Sequence, residues 1–290
     1  YPEIIFFRNY VRSDMTSQNI GVDPLSPIIG AEVSGVDISK PLDKDVLEEV
    51  NRALLDHQVI FFRDQKMSLE RHKAFGRNFG SLHIHPTAAK IDGHPEILTI
   101  HADENSRAVA GMKWHSDVSC DLEPPMGSIL HLHQIPKVGG DTMFASMYHA
   151  YEQLSDPIKS FISNLSAWHE SIGVHRDRLN HKGTLRDGEN AYPEALHPIV
   201  RTHPVTKKKT LFVNENFTTR IEGLNKKESD SILAMLYEHI ATPEFHCRFR
   251  WKENSVAFWD NRCVQHRSVW DYYPQVRHGY RVTIAGDKPF

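Results

Sequence analysis

A chain of 290 residues is long enough for one large domain or two small ones, and 40% hydrophobic and 24% charged residues are ordinary for a globular protein. A formal net charge of −3 gives no overall pull toward nucleic acid or an anionic membrane, so any attraction for an acidic ligand has to be local. No apolar run approaches the roughly 20 residues of a membrane span, and Cys120, Cys247 and Cys263, without paired spacing, point to a reducing cytoplasm rather than a disulfide framework.

Residues 1–24 read as an N-terminal extension with no assigned role, and residues 25–290 as one domain. Over 45–57, apolar residues at Val46, Val50, Leu54 and Leu55 have helical spacing. Val59-Ile60-Phe61-Phe62 is a β-branched and aromatic run, hence a buried strand. Ser68 is a cap-like start for a second helix, 68–79, so the chain is expected to open by alternating helix and strand. Residues 126–132 and 141–145 read as strands joined through the Gly139-Gly140 turn, followed by short helices at 147–154 and 157–165. Residues 174–195 are polar, contain Gly183, Gly188 and Pro193, and lack periodicity; they are the expected lid over a binding mouth. A hairpin is predicted from 199–203 and 210–214, a helix over 225–241, and strands at 245–251, 255–259 and 279–285. Many short strands with inserted helices predict a mainly β fold, a double-stranded β-helix or jelly-roll barrel.

The chemistry is carried by Lys113-Trp114-His115-Ser116-Asp117-Val118, read with His266. On a strand or strand end, residues i and i+2 project to the same side. His115 and Asp117 can therefore grip one ion, and His266 completes two imidazoles and one carboxylate. That set leaves metal positions open and is diagnostic of non-haem Fe(II) oxygenases; a structural zinc site would be closed and rich in Cys or His. His-x-Asp alone is weak in a chain with 19 histidines. Weight comes from the segment Phe258 to Arg267, which delivers His266 after a strand-like run, and from Arg277 and Arg281 beyond it. A guanidinium is the planar, permanently charged fork that an anionic cosubstrate needs. Cys120 and Cys263 lie near these ligands in sequence but read as small buried residues.

These pieces resemble the Fe(II)- and 2-oxoglutarate-dependent dioxygenases of the taurine/2,4-dichlorophenoxyacetate group. The matching segments are Gly30 to Asp37, Val59 to Arg63, His83-Ile84-His85-Pro86, Trp114-His115-Ser116-Asp117, Gly139-Gly140-Asp141-Thr142, Trp259-Asp260-Asn261-Arg262 and Gly286-Asp287-Lys288-Pro289, in family order over almost the whole chain. The resemblance implies the jelly-roll fold. It implies iron(II) held by His115, Asp117 and His266, and 2-oxoglutarate and O2 as cosubstrates. The far carboxylate of 2-oxoglutarate would meet Thr142 and Arg277. Oxidative decarboxylation to succinate and carbon dioxide would drive hydroxylation, and the intact Asp117 argues against halogenation. His85, Val118 and Arg281 correspond to substrate-binding positions, with Arg281 and His85 on an anionic head. The relatives form dimers or tetramers, so a homo-oligomer is implied, with a small organic anion as partner and neither nucleic acid nor membrane.

Departures from the taurine pattern bear on substrate. Ala88 replaces an aromatic hydroxyl, and the region of Gly111 replaces an amide, so taurine's ammonium would lack acceptors. His85-Pro86-Thr87-Ala88 is closer to the alkylsulfatase branch, which implies an alkyl sulfate or alkanesulfonate. An aryloxyalkanoate or other carboxylate dioxygenase is the alternative, on the likeness of Trp259 to Val264. A further alternative is an inactive jelly-roll that binds metal and anion.

Overall fold

Val59-Ile60-Phe61-Phe62 is buried at every position, and a strand that is apolar on both faces must be covered on both. That requirement organises the fold. The computed structural model describes residues 20–85, 91–171 and 193–290. Residues 1–19, Ala88 and most of the expected lid lie outside the described residues.

Among the described residues the elements are β1 (Gly21–Pro24), β2 (Ala31–Ser34), α1 (Lys44–His57), β3 (Val59–Phe62), α2 (Leu69–Arg77), β4 (Ile97–Ala102), β5 (Gly127–Gln134), β6 (Thr142–Ser146), α3 (Met147–Glu152), α4 (Asp156–Ile162), β7 (Ser166–Glu170), β8 (Glu194–Pro198), β9 (Val200–Thr202), β10 (Lys209–Leu211), β11 (Thr218–Ile221), α5 (Lys226–Ile240), β12 (His246–Phe249), β13 (Ser255–Asp260), β14 (Val264–Ser268) and β15 (Arg277–Ile284). The larger sheet runs β1-β2-β3-β13-β5-β15-β4 and is antiparallel except between β2 and β3. A second sheet, β12-β6-β14, is antiparallel throughout. A third, β11-β7-β8, and the β9–β10 hairpin complete the set.

Alternation along the central strands makes two cores. On one face of the larger sheet, Ile60, Phe62, Ile129, Val256 and Phe258 pack against Val50, Ala53 and Leu54 of α1 and Phe75 of α2. On the other, Phe61, Leu130, Leu132, Ala257 and Trp259 pack against Phe144, Cys247, Phe249 and Val264 of the second sheet. Phe61 stacks on Phe249 with centroids 3.9 Å apart and meets Phe144 edge-on at 5.5 Å. The two sheets are thus face to face. The outcome is a mainly β protein with inserted helices, and no helix among the described residues is long and apolar enough to cross a membrane.

Local expectations meet this structure unevenly. Ser68 caps α2 by accepting from Arg71 N–H at 3.3 Å. Asn225 and Glu228 form a full capping box on α5. Gly139 and Gly140 both adopt positive φ, 82° and 73°, at the predicted turn. Helix and strand alternate from α1 through β3 to α2 as expected, but β1 and β2 precede them, and β1 falls within the expected extension, paired to β2. The helix expected at 157–165 is α4, Asp156–Ile162, and the strand expected at 245–251 starts at His246 after a 3-10 turn, Pro243–Phe245. Strands β4, β7, β8, β11 and β14 were not expected. Most of these hide polar residues, His169, His197, Thr218, Gln265 and His266, where an apolar alternation would be sought.

Candidate active site

Strand β14 presents one edge to β6, with His266 opposite Phe144. Its other edge takes a single antiparallel bridge to His115. His115 N–H donates to His266 O at 3.1 Å, and His266 N–H donates to His115 O at 2.8 Å. The chain then leaves the extended conformation. Asp117 opens a turn and Val118 takes φ 46°, uncommon for a β-branched residue. The His-x-Asp pair therefore sits at a strand end. Asp117 Oδ1 lies 3.8 Å from His115 Nε2 and 3.9 Å from His266 Nε2. These separations are too long for hydrogen bonds, and the three side chains offer donor atoms all within 4.8 Å of one another.

The surroundings fix charge and tautomer. His115 Nδ1–H donates to Lys113 O at 2.9 Å, which leaves Nε2 with its lone pair. Burial pulls the pKa of His115 below its ordinary value, against the nearby Asp117 charge. His266 is pulled further down by burial and by His115. For Asp117, burial works to raise the pKa, but Arg281 and then the two histidines and Ser128 overcome it and hold the carboxyl well below its usual range. Two neutral imidazoles and an ionised carboxylate are the deprotonated donor set a divalent cation requires. His266 Nδ1 and Arg281 Nε, both buried, have no hydrogen-bond partner among the described residues. The residues present fit an iron(II) ion.

Asp117 is held from three sides. Ser128 Oγ–H donates to Oδ2 at 2.7 Å, Arg281 Nη1–H donates to Oδ1 at 2.6 Å, and Asp117 N–H donates to Asn261 Oδ1 at 3.3 Å. Asn261 in turn accepts from Trp259 Nε1–H at 2.9 Å, donates to Ser128 Oγ at 3.1 Å, and through its carbonyl accepts from Ser116 Oγ at 2.6 Å. Gly111 stands directly against the site. Its φ is +77°, and a Cβ there would fall 2.9 Å from His115 Cε1.

A second polar pair lies nearby. Arg277 Nη2–H donates to Thr142 Oγ1 at 3.2 Å and Nε–H to Gly140 O at 3.0 Å. Trp251 Nε1–H also donates to Thr142 Oγ1, at 3.0 Å, and its ring lies 5.6 Å under the guanidinium. Burial depresses the Arg277 pKa, partly countered by Tyr272 and Asp141, but a guanidinium stays charged. Arg277 and Arg281 share one face of β15, and Thr142 lies opposite Ser268, two residues past His266.

The structure thus brings His115, Asp117, His266, Val118 and Arg281 together, and places Thr142 against Arg277. His85 is half-buried. The chain leading to it runs beside β15, with His83 N–H donating to Thr283 O at 2.8 Å. Sequence reasoning missed Ser128, Trp251 and the contact of Asn261 with Asp117. The signal for Ser128 was a hydroxyl beside Ile129 and Leu130 in a buried strand.

A second cluster, His203, Asp260 and Cys263, has similar spacing but does not suit a metal. His203 Nδ1 accepts from the amides of Val205 and Thr206, so its proton sits on Nε2 and is donated to Asp260 at 3.0 Å. Arg262 occupies both Asp260 oxygens, and burial raises the Cys263 thiol far above its ordinary pKa. Cys120 is likewise a buried thiol, pushed up to about 12.

A buried two-histidine, one-carboxylate triad between the two facing sheets, with a buried arginine–threonine pair beside it, defines a non-haem iron oxygenase site. The family described as taurine catabolism dioxygenase TauD, TfdA family matches residues 21–283. The chain belongs to this family and so to the dioxygenases that use iron(II), 2-oxoglutarate (alpha-ketoglutarate) and O2. It is 33% identical to an alpha-ketoglutarate-dependent sulfonate dioxygenase of Saccharomyces cerevisiae, over 94% of this chain and 69% of that one. It is 34% identical to an alpha-ketoglutarate-dependent sulfate ester dioxygenase of Pseudomonas putida, over 93% and 91%. A crystal structure of a taurine dioxygenase from Burkholderia xenovorans superposes with a TM-score of 0.80 at 37% identity, covering 93% of this chain and 90% of that one.

Proposed function

We propose that this protein hydroxylates a small alkyl sulfate or alkanesulfonate, with His115, Asp117 and His266 as the iron ligands. The observation that carries the substrate class is Arg281, a buried guanidinium beside the triad whose Nε has no partner among the described residues. A buried cation at that place suits a tetrahedral or planar anion. Gly111 supports the same reading from the opposite direction, because the His115 ring leaves no room for a polar side chain that could accept from an ammonium. Relatives named for sulfonates and sulfate esters agree with it.

Arg277 and Thr142 hold the far carboxylate of 2-oxoglutarate, in a cradle stiffened by Trp251 and Gly140 O. Arg281, Val118 and His85 orient the substrate. The buried surroundings exclude water, which strengthens each of these charge contacts. The chemistry that bound iron(II) supplies is activation of O2 coupled to oxidative decarboxylation of 2-oxoglutarate, giving succinate, carbon dioxide and a hydroxylated substrate. The two facing sheets form the double-stranded β-helix of one catalytic domain, residues 25–290 together with β1. Three buried free cysteines fit a reducing cytoplasm, and a homo-oligomer is the assembly in keeping with the family resemblance.

The test is a substrate panel scored by succinate and by inorganic sulfite or sulfate. Unbranched alkyl sulfates or alkanesulfonates should outperform taurine, with a gain over the first few methylenes of about 0.8 kcal/mol each. A preference for taurine, or for aryloxyalkanoates without sulfur release, would overturn the reading.

A further inference from the structure

The larger sheet carries a file of imidazoles on the face away from the triad. His72 of α2, His131 and His133 of β5, His278 of β15 and His101 of β4 follow one another with ring centroids 6.2, 5.8, 4.9 and 5.1 Å apart. Leu130 and Leu132 point into the core between the sheets, so by alternation His131 points outward; β5 bulges at His133, whose ring contacts with His278 and Tyr280 put it on the same face. The inner end of the file is closed. His72 Nε2–H donates to Ile129 O at 3.0 Å, and burial lowers the pKa of His72 to about 3 and that of His131 to about 4.

The outer end is different. His278 and His101 are directly opposite in the β15–β4 register, where side chains of an antiparallel pair are in reach of each other. Their Nδ1 atoms are 3.2 Å apart, so one nitrogen carries a proton and the other a lone pair. His101 Nε2 is 3.4 Å from Asp103 Oδ2. That carboxylate favours the His101 tautomer protonated on Nε2 and leaves Nδ1 free to accept. A carboxylate behind an imidazole is also how metal-ligating histidines are held. Two imidazole nitrogens on one ion, each at about 2.0–2.1 Å, stand roughly 3–3.4 Å apart. The observed pair already has that separation, with a shared proton in the ion's place. His133 packs edge-on against His278 and stacks on Tyr280, centroids 5.2 Å apart. It is half-buried, and a rotation of its ring toward the pair supplies a third nitrogen.

We infer that His101 and His278, joined by His133, form a second metal site, for a borderline divalent transition ion such as zinc, nickel(II) or copper(II). An all-imidazole set selects these ions, whereas the triad's mixed set with open positions suits iron(II). Bound there, the ion bridges the edge strand β4 to β15, the strand that carries Arg277 and Arg281.

Nickel(II) titration of the untagged full chain, read as equivalents retained after gel filtration and by calorimetry, tests the inference. Wild type should bind two equivalents. His101→Gln and His278→Gln should each bind one while keeping wild-type turnover with added iron. Asp117→Ala should lose the other equivalent and keep the outer one. His133→Ala should weaken outer binding tenfold or more. Copper(II) at the outer site of Asp117→Ala should show nitrogen hyperfine coupling by electron paramagnetic resonance. A single equivalent in wild type that Asp117→Ala abolishes, or two equivalents surviving in the His101→Gln, His278→Gln double variant, would sink the proposal.

Discussion

Asp117 and Arg281, 164 residues apart, meet with Nη1 and Oδ1 2.6 Å from each other. The carboxylate proposed to hold iron is therefore also the partner of the guanidinium proposed to read substrate. Removing one member of a buried pair leaves an uncompensated charge, at a cost of about 3–5 kcal/mol. Arg281→Ala should destabilise the metal-free protein by that order. Iron(II) should then restore more stability to the variant than to wild type, because the cation replaces the lost charge. Substrate-stimulated succinate formation should vanish, with slow unstimulated consumption of 2-oxoglutarate remaining. Thermal melts with and without iron, beside a succinate assay, decide it. An Arg281→Ala protein with unchanged substrate response removes Arg281 from the substrate site.

His115→Ala, Asp117→Ala and His266→Ala should each abolish iron binding and turnover together, since three ligands are the minimum set. Ser128→Ala should act by degree. It deletes the hydroxyl that donates to Asp117 Oδ2 and receives from Asn261, and loss of such an outer contact costs roughly ten- to a hundredfold in metal affinity. Anaerobic titration with iron(II) or cobalt(II) measures both effects. A triad variant that keeps near wild-type affinity is not missing a ligand.

The triad was legible because its residues announce themselves locally: His115 and Asp117 two apart, and His266 after a strand-like run. Arg277 stood out by its place after His266 as a guanidinium for an anionic cosubstrate, but Thr142, linked to it at 3.2 Å, was legible only through family likeness. No local pattern ties residues so far apart in the chain. Apolar elements such as β3 and α1 were readable because burial there follows simple periods. Strands β7, β8 and β14 were not, since their buried positions include His169, His197, Gln265 and His266 beside the small Ala167 and Ala195. Hydrogen bonds to Ser119, Asp121 O and Val213 O hold His169, His197 and Gln265 inside, so the hydrophobic alternation that marks a strand is missing. Arg281 could be named from the sequence, but its ion pair with Asp117 depends on how β15 packs over the turn after His115, which spacing alone does not encode.

Arg277→Ala should raise the 2-oxoglutarate requirement far more than that for the primary substrate. The guanidinium is buried and charged, and a lost charge-assisted bidentate contact costs on the order of 2–4 kcal/mol, or roughly thirty- to a thousandfold. Arg277→Lys should rescue only in part, because an ammonium cannot reproduce the fork over Trp251 and Gly140 O. Thr142→Val should cost less, about 0.5–1.5 kcal/mol, as a neutral hydrogen bond does. Steady-state kinetics with each cosubstrate varied in turn would show it. Unchanged 2-oxoglutarate dependence in Arg277→Ala would take the residue out of this role.

The buried histidines set the acid limit of the metal-free protein. Burial lowers the pKa of His72 and His169 to about 3 and that of His131 to about 4, whereas in the unfolded chain each titrates near 6.5. Below pH 6.5 the unfolded state takes up protons that the folded state refuses, so stability is full above that value and falls with pH until the folded pKa is reached. Each histidine contributes a slope of up to about 1.4 kcal/mol per pH unit. Three together can exhaust the stability of an ordinary domain, about 5–15 kcal/mol, within a few units, while Asp117, held well below the usual carboxylate range, adds loss only at lower pH. Urea midpoints should therefore drop steeply between pH 6 and about 4.5. His115, His197 and His266, also lowered by burial, add to the slope; His72→Gln keeps a donor for Ile129 O and removes one titration, so its midpoints should fall measurably less steeply. Parallel curves for wild type and His72→Gln over that interval would show that His72 is not buried neutral and that acid sensitivity lies elsewhere.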